Sequence, residues 1–97
     1  MIDLNDISKK AYEIACERGQ YKNDGRDVIR GLKHCAGEVV EAVEAYTSID
    51  CSDKDYAYEL ADIMMCVLSL CGYMKMDAEL MMSCCLYKNK KRIDDNG

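Results

Sequence analysis

The chain has no proline, no tryptophan and no phenylalanine, and only one histidine. Every aromatic residue is a tyrosine. Helix formers dominate, and no segment alternates apolar and polar residues as a half-buried strand does. These absences point to an all-α fold. Positive charge is also in deficit. The formal net charge of −5 argues against non-specific nucleic-acid binding, which needs a basic face. Long apolar runs are missing too. The longest, from Ile63 to Met74, falls short of the roughly 18 residues of a membrane span. Met1 to Asp6 shows neither the basic region nor the apolar core of a signal peptide. The seven cysteines are odd in number and include no Cys-x-x-Cys pair. They read as small buried hydrophobes in a reducing cytoplasm, without a disulfide framework. Zinc is not expected, because His34 is the only histidine and no cysteine pair has finger spacing. His34 itself reads as a partly exposed helical residue.

What the chain does have is paired carboxylates. Glu38-x-x-Glu41 is followed, after 17 residues, by Glu59-x-x-Asp62. Residues three apart on a helix share a face. Two such helices packed together would therefore gather four carboxylates, and four anions repel unless a hard cation lies between them. All-oxygen ligation suits Mg²⁺, Mn²⁺ or Ca²⁺. Either pair alone reads most simply as a solvated helix face, because such short motifs are common. The setting changes the weighing. Asp62 is the only charged residue between Leu60 and Met74, in a helix apolar nearly all round and so expected to be buried. An aspartate there is costly unless paired or metal-bound.

At 97 residues the chain is read as one domain, residues 1–97, of four helices. The first is predicted from about Ile7 to Arg18, capped by Asn5 or Asp6, with Ile7, Ala11, Ile14 and Ala15 as its apolar stripe. A turn-rich loop from Gln20 to Arg26 follows. The second helix is predicted to start after Asp27 and reach Tyr46. Its Gly31 and Gly37 are poor helix residues, expected to permit close packing beside Glu38. The third follows a cap at Ser52 or Asp53 and runs to about Met74. Asp53-x-Asp55 is not an EF-hand loop, because no glycine follows at the required place. Asp77 is predicted to cap a fourth helix from Ala78 to about Arg92, with Leu80, Met81, Cys84 and Tyr87 facing the core. The basic cluster Lys88 to Arg92 then falls in the last turn, where cations favour the helix dipole. It also suits a phosphate clamp. Residues 94–97 are expected to fray. Three neighbours of this size can hardly cover an all-round apolar third helix, so a homo-oligomer, dimer or tetramer, is expected.

With these residues together, the sequence resembles the MazG-like all-α nucleoside triphosphate pyrophosphatases, the small dCTP-pyrophosphatase-like branch above all. Three features carry the resemblance: Gly37-Glu-Val-Val-Glu-Ala-Val-Glu-Ala45, Glu59-Leu-Ala-Asp62-Ile, and Asn89-Lys90-Lys91-Arg92. The resemblance implies Mg²⁺-dependent hydrolysis of a nucleoside triphosphate to monophosphate and pyrophosphate. It implies Glu38, Glu41, Glu59 and Asp62 as metal ligands. Asn89 and Arg92 would hold the nucleotide, with Lys90 helping at the phosphates, and sites would lie near subunit interfaces. Two positions depart from the family pattern. Tyr21 is the aromatic nearest the place where many members carry a tryptophan by the base. Cys85 stands where many have a lysine four residues before the asparagine.

The chemistry also fits the residues by themselves. Phosphoryl transfer needs positioning and charge neutralisation more than covalent help. A carboxylate near the metal can take the proton of the attacking water, and Glu41 is the residue assigned that role. Two other readings compete. A carboxylate-bridged di-iron bundle needs Glu-x-x-His pairs, and Gly31 occupies the place three before His34. A helical interaction module accounts for the apolar helices but not for an aspartate buried among them, and a homologue that binds nucleotide without turnover lies between that module and the enzyme.

Overall fold

The computed structural model describes residues 3–96. It is all-helical: α1 spans Leu4–Glu17, α2 Asp27–Thr47, α3 Asp53–Tyr73 and α4 Ala78–Asn96. No strand is present among the described residues.

Local chemistry accounts for the helix ends. Asp3, not Asn5 or Asp6, caps α1 by accepting the Asn5 N–H at 2.7 Å. Asn5 is used elsewhere. Its amide donates to Asp77 Oδ1 at 2.9 Å and its oxygen accepts the Ala78 N–H at 2.8 Å, which ties the start of α1 to the start of α4. Ser52 and Asp55 form a reciprocal capping box on α3. Asp77 accepts the Leu80 N–H at 3.0 Å, the bond of an N-cap side chain. At its far end α4 runs on through Asp94 and Asp95 to Asn96, so these residues do not fray from it, and Gly97 lies outside the described residues.

α3 is the central element and packs against both α1 and α2. The α1 contact is made by small residues. Ser8, Ala11 and Ala15 are buried, and the Ser8 hydroxyl donates to the Leu68 carbonyl at 2.7 Å. Gly72 lets the two backbones meet: a Cβ there would lie 2.7 Å from both the Ser8 carbonyl oxygen and the Tyr12 Cβ. Between α2 and α3, Gly31 faces Leu70, whose Cδ1 would be 3.0 Å from an added Cβ. Gly37 has open space where its side chain would be. The close packing expected of both glycines therefore holds for Gly31 alone, and against Leu70.

The fourth helix departs from the expected arrangement. The chain turns through 115° between α3 and α4, and α4 packs chiefly against α1. Ala78 is buried, whereas Leu80, Met81, Cys84 and Tyr87 are exposed. They were expected in the core, but α4 points away from it. Neither is α3 enclosed: Leu60, Met64, Met65 and Val67 lie on its surface, as do Ile29, Leu32, Val40 and Val43 on α2. The outcome shows in the dimensions. The accessible surface is 7707 Å², against about 5,600 Å² for a compact monomer of this mass. The radius of gyration is 15.7 Å, against about 12.5 Å. Among the described residues, no single helix is long and apolar enough to cross a membrane.

Candidate functional site

The loop between α1 and α2 supports one side of the site, and Asp27 organises it. Asp27 is 1% exposed and is the first residue of α2. Its carboxylate accepts the Lys22 N–H at 2.9 Å, the Asn23 N–H at 2.8 Å, Arg30 Nη1 at 2.7 Å and the Tyr73 hydroxyl at 3.1 Å. These donors hold its pKa below the ordinary aspartate value, the Lys22 backbone N–H foremost. Asn23 and Gly25 supply the positive φ angles that fold the loop back onto the carboxylate. Sequence reasoning ended the loop at Asp27 without seeing this role. The available signal was Arg30, three residues on and on the same helix face.

The loop in turn places Tyr21. Its ring stacks on Tyr73 with centroids 4.6 Å apart and planes 6° apart, and Tyr12 tilts against both. The Tyr21 hydroxyl shares a 2.9 Å hydrogen bond with Ser69. So fastened, Tyr21 lines a cleft together with Arg30, His34 and Cys66.

On the other side, α2 and α3 bring the paired carboxylates together. Oxygens of Glu38, Glu41 and Glu59 all lie within 4.8 Å of one another. Glu38 is largely covered, with 16% of its side chain exposed, and its pKa is raised, first by burial and then by the charge of Glu41. Glu59 is half-buried, and its Oε2 is enclosed without any hydrogen-bond donor. Unpaired buried carboxylate oxygens are costly. Three converging carboxylates with an enclosed, unpartnered oxygen are the donor set a hard divalent cation needs. The residues present therefore fit the metal that the sequence suggested.

Asp62 stands at the edge of this group. It lines the cleft beside Glu38 and its charge helps raise the Glu38 pKa. It is not one of the three clustered oxygens, and it is exposed. Its expected burial is corrected, because the cleft it lines between α1 and α2 is open. On the neighbouring surfaces, burial raises the Cys35 thiol and pushes the Cys66 thiol up to about 11.

Asn89, Lys90 and Arg92 are exposed on α4. The clefts around Glu38 and Tyr21 are lined from α1, the loop, α2 and α3, and by no residue of α4. One chain thus does not bring its basic cluster to its own carboxylates. The cluster also does not end its helix. α4 continues past Arg92, and its last turn holds no basic residue, which removes the dipole explanation for these charges. Lys90 pairs with Asp94 at 2.8 Å in an exposed bridge, a contact of little energetic weight.

Compared with models of known families, with curated proteins and with solved structures, the chain finds no match in any of the three.

Proposed function

We propose that the chain is a Mg²⁺-dependent nucleoside triphosphate pyrophosphohydrolase. The observation that carries this reading is the convergence of Glu38, Glu41 and Glu59 around the unpartnered Oε2 of Glu59. The order of motifs along the sequence, which resembles the MazG-like enzymes, supplies the substrate class. Glu38, Glu41 and Glu59 would hold the cation, with Asp62 beside them. Mg²⁺ when bound (or Mn²⁺) supplies neutralisation of the triphosphate charge and acidifies the attacking water. Glu41, the exposed member of the cluster, takes the proton of that water. The bond between the α and β phosphates opens, and pyrophosphate leaves. Asn89 and Arg92, with Lys90, grip the nucleotide from α4, and Tyr21 borders the base.

Because α4 does not reach its own chain's carboxylates, the basic residues come from another copy. The uncovered apolar face of Leu60, Met64 and Val67 on α3 and the surplus surface support a homodimer or homotetramer. Chains that expose this much apolar area rarely stay alone.

Two measurements test the reading. Chromatography of products from a nucleotide panel should show monophosphate and pyrophosphate with Mg²⁺ and nothing without it. Diphosphate and orthophosphate as products would contradict it. Light scattering should give at least twice the 11.0 kDa chain mass, and Met64→Glu should reduce it. A wild-type monomer would leave α4 without a site to serve.

A further inference from the structure

A second group of ligand atoms shares Glu38 with the glutamate cluster and otherwise differs from it in chemistry. A ring nitrogen of His34, a Glu38 oxygen and Cys66 Sγ all lie within 4.8 Å of one another. The Nε2–Oε1 separation is 3.7 Å. His34 and Glu38 are four apart on α2, and Asp62 and Cys66 are four apart on α3. Each helix thus presents a two-residue column on one face. The columns oppose each other, since Asp62, Glu38, His34 and Cys66 line one cleft and the Asp62 charge acts on both Glu38 and Cys66.

An imidazole and a thiolate beside carboxylates are the ligands of a borderline-soft cation, not of Mg²⁺. Zinc bonds of about 2.0–2.3 Å place tetrahedral ligand atoms about 3.5 Å apart. The present spacings, 4.8 Å at most, exceed this by little more than 1 Å, and half of the His34 side chain is exposed. We propose that His34, Glu38 and Cys66 form a three-residue binding site for a zinc-class divalent cation, with the fourth position left to water. Its ligands come as single residues from two helices rather than as cysteine pairs, so no finger spacing marks it in the sequence. The proposal stands whether or not the chain hydrolyses nucleotides.

Cobalt(II) tests it, as a coloured substitute for zinc. Reduced protein titrated with Co²⁺ should develop, at one ion per chain, a thiolate-to-cobalt charge-transfer band and tetrahedral visible absorption. One equivalent of Zn²⁺ should bleach both. Cys66→Ser should abolish the charge-transfer band, and the double variant Cys84→Ser, Cys85→Ser should retain it. His34→Ala, a change at an exposed side chain that leaves folding intact, should weaken Co²⁺ binding tenfold or more. Glu41→Gln should keep the cobalt spectrum, which separates this site from the glutamate cluster. Absence of the band in wild type, its survival in Cys66→Ser, or unchanged affinity in His34→Ala would overturn the proposal. The His34 result decides alone if the Cys66 variant does not fold.

Discussion

The molecule holds two carboxylate centres, and they are opposites. Asp27 sits at 1% exposure and is surrounded by donors: two backbone N–H groups, a guanidinium and a phenol. Glu38, Glu41 and Glu59 converge with no donor on the enclosed Glu59 oxygen. The first centre is complete within the chain. The second leaves that oxygen open, and in the proposed function a cation would complete it. Burial of a carboxylate thus does not by itself signal function. What distinguishes the two is whether the chain satisfies the group it has covered.

The pH dependence of each centre follows with opposite sign. The Asp27 pKa is depressed in the folded chain. Its stabilisation is present above the ordinary aspartate value and is lost as pH falls through the folded pKa. The Glu38 pKa is raised. Its contribution favours the fold below the ordinary glutamate value and is lost as pH rises through the folded pKa.

The largest expected effect comes from breaking the complete centre. Asp27→Asn puts an amide NH₂ against donors that need an acceptor and leaves Arg30 without its buried partner. Melting temperature should fall by roughly 10–20 °C, with or without Mg²⁺. A smaller change would mean that the loop folds independently of Asp27. Next comes Gly72→Ala, where the added carbon meets the Ser8 backbone at 2.7 Å. Overpacking of this kind costs about 1–3 kcal/mol, and chemical denaturation would measure it. Glu59→Gln removes charge from the incomplete centre. The metal-free protein should melt higher than wild type at pH 7.5, because one of three crowded carboxylate charges is gone, and this advantage should shrink as pH falls and the carboxylates protonate. Arg92→Ala should leave melting unchanged and raise KM, since a charge-assisted phosphate contact is worth about 1.5–3 kcal/mol. Steady-state kinetics that match wild type would return Arg92 to the solvated surface.

The helices were legible because their signals are local. Ser52 and Asp77 mark helix starts through their side-chain oxygens, Gly19, at φ 72°, follows the end of α1, and the observed ends fall within a few residues of those expected, apart from α4. The carboxylate spacing on α2 and α3 was legible for the same reason, since a three-residue step fixes a shared face. Asp27 was not, because its donors come from a loop and from Tyr73, 46 residues away. The exposure of Asp62 was misjudged because the apolar pattern of α3 records every surface that avoids water, including surfaces this single chain leaves open. The same ambiguity hid the direction of α4: Leu80, Met81 and Tyr87 read as core residues whether they pack within the chain or against another copy.

The most direct test of the incomplete centre is thermal melting of wild type and Glu59→Gln at pH 7.5, each with and without Mg²⁺. Binding to the folded state alone should add about 2.7 kcal/mol to wild type at a hundredfold excess over Kd, or roughly 10–20 °C. The Glu59→Gln protein should start higher and gain almost nothing. Equal Mg²⁺ shifts in both proteins, or none in wild type, would contradict a cation site built on Glu38, Glu41 and Glu59.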